Sequence, residues 1–259
     1  MSRTTRILVL AGSASLLAAG GARAGGWTFT VGAQVGVGPP YEGANRDILE
    51  PAPTFDLRPR GSPERFTPPD GGTTIALYSN KYFEVGPVVR FRYQRDPTGE
   101  LKGFDKVDWA AEPGLYTDIW PTDWLRLRVE GRKGVTGHVG WVGDAGFDLV
   151  YNGKRWDASV GPRIGWGDHH YMQTYFGVTP AEAARSPLHA VYDPDGGQRY
   201  TGVETAVGYH LSRNWRLIAD FGYQRLAGDV ARSPVVRATG SPDQYSSSLG
   251  FTYSFSVGK

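Results

Sequence analysis

The residues that could support chemistry in this chain are few and scattered. The chain contains five histidines and no cysteine. Asp168, His169 and His170, followed by Glu182, are the one combination that could suggest a metal site. On an extended strand, neighbouring histidines point to opposite faces, and no third ligand lies at a spacing diagnostic of a metal centre. We therefore expect solvated loop histidines, no metal and no other cofactor.

A hydrolase of the Ser–His–acid type is the other enzymatic interpretation. The alternation around His138 and His210 places both on the polar face of their strands, away from any lipid substrate. No serine that could pair with them lies in a recognisable motif. The glycine-rich passage 32–38 lacks the following helix and the spacing of a phosphate-binding loop. We expect a protein that is not an enzyme and has no catalytic residues.

The elements that position these residues follow a period of two. In 27–37, Trp27, Phe29 and Val31 begin an apolar face that alternates with polar residues and glycines. Nine runs of this kind are 11 to 14 residues long, which is enough to cross a bilayer at a tilt. The pattern predicts an all-β protein, a transmembrane antiparallel up-and-down β-barrel. The other eight runs are 83–95, 106–118, 124–134, 138–151, 155–167, 199–211, 215–226 and 244–255.

The number of strands is less directly indicated. The nine runs are joined by shorter candidates at 73–78 and 49–58, which makes eleven. A single-chain barrel whose two ends lie on one side of the membrane needs an even number. A weak strand at 63–68 would make twelve, whereas treating 49–58 as an outer loop would leave ten. We favour twelve, because 49–58 contains alternating apolar residues, including Phe55 and Leu57.

Residues 1–24 have the pattern of an export signal. A basic start and a short apolar run are followed by Ala22-Arg23-Ala24, so we expect cleavage between Ala24 and Gly25, with 25–259 forming the barrel. Of the 28 basic and 26 acidic residues in the whole chain, 25 and 26 would remain. There is no basic block, so nucleic acid is not expected as a partner. We expect a location in the outer membrane of a Gram-negative bacterium, in contact with its lipids.

The connections between strands are of two kinds. Short turns at 119–123, 152–154 and 212–214 are expected on the periplasmic side, and longer loops such as 168–198 and 227–243 on the outer side. The tryptophans are then expected in two aromatic belts. The periplasmic belt would contain Trp27, Trp120, Trp124, Trp156 and Trp215, and the outer belt Trp109, Trp141 and Trp166.

The polar faces of the strands are heavily charged. An arginine on the lipid face would cost roughly 2–4 kcal/mol at the bilayer midplane, so these side chains are expected to point into the lumen. Acids and bases of similar depth suggest a cross-linked lumen, and a conducting, charge-lined channel stays open as the alternative. The candidate network contains Arg90, Arg126, Arg128, Arg163, Glu112, Glu130, Asp144, Asp148, Glu204 and Asp220.

The 168–198 loop is too apolar to lie exposed. Thr179 and Glu182 have the spacing of a capping box around Pro180, so a short helix is expected near 179–186. We expect this loop to fold inward as a lid over the barrel mouth, with an extracellular partner or ligand site as the alternative. The residues that define this candidate lid or interaction loop are Tyr171, Tyr175, Phe176, Gly177, Val178, Thr179 and Pro180.

Four stretches of the chain carry a family resemblance. The most typical is Tyr171-Met-Gln-Thr-Tyr-Phe-Gly-Val-Thr-Pro-Ala-Glu-Ala183, followed by Ser186-Pro-Leu188. The others are Pro40-Tyr-Glu-Gly43 with Pro51-Ala-Pro53, Tyr223-Gln-Arg-Leu-Ala-Gly-Asp229 with Ser233-Pro-Val235, and Leu249 to Phe255. On these segments the chain resembles the MipA/OmpV family of MltA-interacting outer-membrane proteins.

The resemblance implies an outer-membrane barrel for which no catalytic residues are defined. The founding member of that family is described as a scaffold between a murein lytic transglycosylase and a penicillin-binding protein. A structural or scaffolding protein that links murein-synthesis or murein-remodelling enzymes to the outer membrane is therefore expected. A small-solute channel or a surface adhesin stays open as the alternative.

Overall fold

In the computed structural model, residues 25–258 are described, and the expected signal peptide over 1–24 lies outside them. Twelve β-strands dominate this part of the chain, and ten of them are long. The strands are β1 (Trp27–Gly38), β2 (Ile48–Pro59), β3 (Thr73–Ile75), β4 (Tyr78–Ser79), β5 (Phe83–Arg92), β6 (Ala110–Thr122), β7 (Leu125–Lys133), β8 (Trp141–Asn152), β9 (Trp156–Gly167), β10 (Gly197–His210), β11 (Trp215–Leu226) and β12 (Asp243–Val257). The helices are α1 (His169–Phe176), α2 (Pro180–Arg185), α3 (Gly228–Arg232) and α4 (Pro234–Thr239), with 3-10 turns at Pro69–Gly71 and Gly99–Leu101.

The strands close into a barrel. From β5 to β12 each strand pairs antiparallel with the next, and β12 pairs with β1 over its whole length, from Trp27 opposite Val257. The ring closes through β3, which runs parallel to β2 and antiparallel to β5. β4 pairs with β5 outside this ring of eleven. The expected transmembrane-type β-barrel is therefore confirmed, although the β2–β3 pair departs from a purely antiparallel order.

The structure differs from the strands predicted within 63–78. The strand expected over 63–68 is wrong, because this segment leaves the wall and enters the lumen, where Phe66 is fully buried. Prolines at both of its ends cannot donate to a ladder, which disfavours a wall strand there. The strand expected over 73–78 is divided into β3 and β4. The strand predicted over 49–58 is confirmed as β2.

The alternation along the strands separates an outward apolar face from an inward polar one. The three short β-turns and both chain termini of the described part lie at one end of the barrel, called the turn end below, and the α-helices lie at the other, called the loop end. Six of the tryptophans are about half exposed at the two ends of the outer wall, namely Trp109, Trp124, Trp141, Trp156, Trp166 and Trp215. Trp120 was expected in the turn-end belt and is instead 3% exposed, pointing into the lumen.

The core lies inside the barrel and beneath the loops. At the turn end Phe66 packs with Trp120, Val150, Ala206 and Ile218. At the loop end the helices supply an aromatic and aliphatic cluster centred on α1. None of the helices in the described residues is long and apolar enough to cross a membrane.

Candidate functional site

The inner face of one half of the barrel carries a continuous network of ion pairs, called the charge network below. Its arginines and carboxylates are equal in number, seven of each, so the network is neutral as a whole. Its members are Arg90, Arg92, Arg126, Arg128, Arg132, Arg163 and Arg199 with Glu42, Asp70, Glu112, Asp118, Glu130, Asp144 and Asp148.

The part of the network near the loop end is organised around two strand carboxylates. Glu112 accepts from Nε of Arg92 and, at 3.0 Å, from Nε of Arg132, and its Oε1 lies 3.0 Å from Nε2 of His138. Asp144 accepts from Arg132 at 2.6 Å and from Arg199 at 2.7 Å. Guanidinium groups that donate to two carboxylates each act as cross-links between strands.

A third carboxylate joins this part of the network to the loops. Glu42, which follows β1, accepts from Arg92 at 3.0 Å, from Arg199, and from the hydroxyl of Tyr171 at 3.0 Å. Burial raises the pKa of Glu42, but the neighbouring charges of Arg199 and Arg92 outweigh burial and hold this pKa below its ordinary value. Glu42 is therefore an anion that links the wall to α1.

The middle of the network joins strands β6 to β9. Asp118 lies 3.2 Å from Arg126 and 3.3 Å from Arg128. Asp148 lies 3.1 Å from Arg126 and 2.7 Å from Arg163. Arg128 also donates to Glu130 at 3.0 Å, and this bond joins the middle to the loop-end part.

Eight of the ten charged residues proposed from the sequence belong to this network, and two do not. Glu204 is 7% exposed and forms no ion pair with another described residue. Asp220 also forms no ion pair in the described part and instead accepts from the hydroxyl of Ser248. Both lie on β10 and β11, and Arg163 on the neighbouring β9 pairs with Asp70 and Asp148 instead.

Six members of the network were not in the predicted candidate set, and one of them, Arg92, continues the inward alternation of β5. Asp118 and Arg132 continue the inward alternation of β6 and β7, so the period of two could have identified them. Arg199 begins β10, where the pairing with β9 is irregular. Glu42 and Asp70 lie in segments without periodicity, and no local signal marks them.

Residues 60–72, called the plug below, enter the lumen from the turn end. Phe66 is buried among the apolar residues of the turn end, and its backbone N–H donates to Oδ1 of Asn152 at 2.7 Å. Asp70 accepts from Nε of Arg163 at 2.7 Å, and the carbonyl of Gly71 accepts from Arg128 at 3.0 Å. The plug is thus fixed by apolar contacts at its base and by the charge network at its tip.

Residues 168–196, called the lid below, cover the loop end. Asp168 caps α1 by accepting from the backbone of Tyr171 at 2.9 Å. Tyr171, Tyr175, Phe176 and Val178 are all buried, with the Tyr171 and Tyr175 rings 4.8 Å apart. The rings are thus packed inward over the barrel mouth.

The second lid helix has the predicted capping box. The Thr179 hydroxyl accepts from the N–H of Glu182 at 3.2 Å, and Glu182 accepts from the N–H of Thr179 at 2.9 Å. Pro180 occupies the first helical turn, and Gly177 connects the two helices. The predicted helix near 179–186 is therefore confirmed as α2. The preceding helix α1 was missed, although Asp168 and the spacing of Tyr171 and Tyr175 are typical of a capped helix.

The lid is also bonded to the neighbouring loops. Arg95, which follows β5, donates to the carbonyl of Tyr175 at 2.5 Å. Ser233, which caps α4, donates to the carbonyl of Phe176 at 2.6 Å. These bonds fix the lid as a compact segment over the barrel mouth and not as a solvated loop.

The histidines are positioned differently from the sequence expectation in one respect. His169 and His170 lie on α1 rather than on extended chain, and their rings are 5.9 Å apart. His138 is buried against Glu112, and His210 lies 2.7 Å from Asp157. Within residues 25–258, no group of three or more metal-ligating side chains is placed to hold a metal ion.

The other half of the lumen, formed by β11, β12, β1 and β2 and called the hydroxyl half below, is joined mainly by hydroxyl groups, and among the described residues its inward ion pair is that of Arg216 with Asp157 at the turn end. Thr30 and Ser254 are hydrogen-bonded at 2.8 Å, and Gln34 donates to Thr54 at 2.8 Å. A cavity of about 100 Å³ lies between this face and the plug. Its lining includes Thr30, Thr54, Asp56, Thr74, Glu84 and Thr252.

A closed barrel with an apolar outer wall, two aromatic ends and a filled polar lumen defines an integral outer-membrane β-barrel protein. The family model of the MltA-interacting protein MipA matches residues 31–255, and the chain belongs to this family.

The chain is similar to two relatives and to one solved structure described here. The MltA-interacting protein of Escherichia coli (strain K12) is 26% identical over 223 residues, which cover 80% of this chain and 84% of that protein. The outer membrane protein OmpV of Vibrio cholerae is 25% identical over 146 residues, covering 56% and 55% of the two chains. An outer membrane channel from Pseudomonas putida F1 aligns over 91% of this chain and 97% of its own, with 10% identity and a TM-score of 0.46.

Proposed function

We propose that this chain is a non-enzymatic scaffold of the outer membrane that docks a murein lytic transglycosylase at its periplasmic end. The observation that carries the proposal is the filling of the lumen from both sides. The plug and the lid are each bonded to the charge network, through Asp70 and through Glu42. A lumen of this kind suits a rigid platform better than a diffusion channel. The name of the Escherichia coli relative, MltA-interacting protein, supports the class of partner.

The turn end is the proposed docking surface. Barrels of this kind have short turns on the periplasmic side, where murein enzymes work. Five basic side chains are exposed around this end and form no ion pair with any described residue: Arg60, Lys81, Lys154, Arg155 and Arg213. Glu64 and Asp123 are also exposed there, so the rim carries an excess of positive charge, which favours a partner with an acidic face and increases the rate of association.

The proposal is tested by capture of the lytic transglycosylase of the same bacterium on the purified barrel in detergent. A variant with Lys154→Glu and Arg155→Glu should weaken capture by at least about tenfold, since each rim charge contributes through steering and complementarity. Lys102→Glu with Lys106→Glu, at the loop end, is the matched control and should bind normally. Absence of capture by the wild-type barrel, or equal capture by all three proteins, would overturn the proposal. A penicillin-binding protein added to the same assay tests whether the barrel joins the two enzymes.

A small-solute channel is the second candidate, and the cavity of about 100 Å³ beside the plug favours it. Stable single-channel steps of porin size from the wild-type protein in planar bilayers would support the channel over the scaffold. The scaffold predicts only small, irregular conductance.

A surface adhesin would need an accessible lid. Arg185 is exposed, but the following Ser186 is buried and bonded within the helix end. We therefore expect external trypsin to leave the Arg185–Ser186 bond intact on whole cells. Rapid cleavage there, with the barrel otherwise intact, would favour the adhesin.

The expected signal peptide is part of the same proposal. Export through cleavage between Ala24 and Gly25 predicts that the protein isolated from outer membranes begins at Gly25. Mass spectrometry of the intact protein measures this directly, and a mass that includes residues 1–24 would contradict it.

A further inference from the structure

The barrel wall is incomplete between β2 and β5. On this side β2 is paired with β3 at Asp56 and Leu57, and β5 is paired with β3 at Val88 and Val89 and, nearer the turn end, with β4 at Glu84 and Val85. On the loop-end side of Thr73 the chain leaves the wall and continues into the lumen as the plug. Above β3, therefore, no strand of the described chain lies between β2 and β5.

The dimensions of this gap follow from strand geometry. At the level of β3 two ladders separate β2 from β5, which corresponds to about 9.5 Å between the two strand axes. The loop-end limit is a hydrogen bond at 3.3 Å from the Tyr93 hydroxyl to the carbonyl of Pro51. The four residue-to-residue steps from Phe55 to Pro51 span about 13 Å. The gap is a slot one strand wide and about four residues tall.

Prolines determine which groups face the slot. The carbonyls of Leu57 and Pro51 both point to this side, since they accept from Ala76 and Tyr93. Alternate residues of a strand share this direction, so Pro53 faces the slot as well. Proline has no N–H, so two positions of this edge offer no donor to an incoming strand. The edge is therefore protected against closure by a strand of a second copy.

The two sides of the slot differ in polarity. On the outside, Leu49 is 71% exposed and Phe91 is 65% exposed. On the inside, Thr54, Asp56 and Thr74 line the cavity of about 100 Å³. Irregular backbone at membrane depth is tolerated where it lines a polar cavity. The slot thus connects the lipid-facing surface directly with the hydroxyl half of the lumen.

The charges next to the slot distinguish between possible headgroups. Asp56 is hydrogen-bonded to Thr74 but forms no ion pair with a described residue, and Oε1 of Glu50 is buried without a hydrogen-bond partner. The cavity lining contains four carboxylates (Asp56, Glu64, Glu84 and Asp118) and five arginines (Arg58, Arg65, Arg126, Arg128 and Arg216), so its charges are nearly balanced and favour neither an anionic nor a cationic group. Hydroxyl groups are uncharged and can donate to the carboxylates of Asp56 and Glu50 and to the carbonyl of Pro53.

We propose that this slot is a lateral binding site for a single-chain amphiphile with an uncharged, hydroxyl-bearing headgroup, such as a monoacylglycerol. The acyl chain lies in the slot between Pro53 and Phe91, in continuity with the bilayer. The headgroup occupies the hydroxyl half beside Thr54. The cavity of about 100 Å³ has room for roughly three water-sized groups, which the hydroxyl-bearing end of such a headgroup can occupy.

The test is photolabelling of the barrel in phosphatidylethanolamine vesicles that contain a small fraction of a diazirine-bearing monoacylglycerol. Mass spectrometry of the adducts should find them concentrated on the peptides that contain Pro53 and Phe91. Thr54→Trp fills the inner mouth of the slot and should lower this labelling about tenfold. Ser246→Trp also introduces a large side chain into the lumen, from β12, and should leave the labelling unchanged.

Competition separates the headgroups and covers the case in which Thr54→Trp fails to fold. Unlabelled monoacylglycerol should displace the probe from the wild-type slot, while lysophosphatidylglycerol with the same chain should not. Labelling spread evenly over all lipid-facing strands would show that the probe is ordinary boundary lipid, and it would overturn the proposal of a lateral binding site. Stronger displacement by lysophosphatidylglycerol would overturn the assignment of an uncharged headgroup.

Discussion

The inner faces of β5 to β9 and of β11, β12, β1 and β2 have the same alternation of residues but different chemistry. The first face supplies most of the fourteen charges of the network, in which nearly every guanidinium contacts two carboxylates. The second face forms single hydrogen bonds between hydroxyl groups, such as that between Thr30 and Ser254. Plug and lid are both bonded to the first face, whereas the cavity and the slot adjoin the second.

This difference indicates how the protein combines rigidity with access. A cross-linked half holds the two covers in place, and the half with small side chains leaves room for a ligand. Gly86 shows how closely the wall is joined on the turn-end side of the slot, because a Cβ atom there would lie 1.8 Å from the carbonyl of Ile75 on β3. The cross-linked half therefore supports the proposed scaffold, and the half with small side chains supports the proposed binding site.

The largest effect is expected from breaking the charge network at Arg132, one of its fully buried arginines. Arg132 contacts Glu112, Glu130 and Asp144 and is 1% exposed. Arg132→Leu leaves these carboxylates without a shared partner, and the loss of one member of a buried ion pair typically costs about 3–5 kcal/mol. Guanidinium unfolding of the refolded barrel, followed by tryptophan fluorescence, measures the change. An unchanged midpoint would show that water, not arginine, compensates these carboxylates.

A smaller effect is expected where the network holds the plug. Asp70→Asn removes the anion that Arg163 contacts at 2.7 Å, but Arg163 keeps its bond to Asp148. We expect a loss of about 1–3 kcal/mol in the free energy of unfolding, because a charged hydrogen bond is weakened and not all of its partners are lost. Entry of small sugars into proteoliposomes should increase if the tip of the plug is released.

Asp123→Asn is the matched control for the plug. This residue pairs with Arg65 at 3.2 Å at the turn end but is largely exposed. Exposed pairs contribute about 0–1 kcal/mol, so little change is expected. Equal effects of the two substitutions would mean that Asp70 has no special role.

The lid should respond to pH through Glu42. The pKa of Glu42 is lower in the folded protein than in the unfolded chain, so its contribution to stability is present above the ordinary value near 4.5 and is lost as the pH falls below it. Hydrogen exchange of the α1 amides, corrected for the intrinsic rate, should therefore accelerate in acid. Glu42→Gln should accelerate this exchange at neutral pH and remove the dependence on Glu42. A variant that behaves as wild type at both pH values would contradict the role of this anion.

The extent to which the sequence predicted these features depends on how local each one is. The long strands and the capping box of Thr179 and Glu182 result from residues within a few positions of each other, and both were predicted. Asp70 and Glu42 find their arginine partners 93 and 157 positions away, respectively, and no periodicity indicates this. The placement of 63–68 was wrong because Phe66 has its apolar pocket inside the lumen, which a strand pattern cannot show.

The smallest effect is expected in the hydroxyl half. Thr30→Val keeps the shape of the side chain and leaves the hydroxyl of Ser254 without its partner at 2.8 Å. Both residues line the cavity, where water can replace the lost bond, so the loss in free energy of unfolding should be about 0.5 kcal/mol and not more than about 1.5 kcal/mol. The double variant with Ser254→Ala should recover part of it, since both polar groups are then removed together. Unfolding midpoints of the two single variants and the double variant form a cycle that measures the coupling. A loss as large as that for Arg132→Leu would show that the hydroxyl half is as dry and as tightly cross-linked as the charge network, and the room assigned to a headgroup would then not exist.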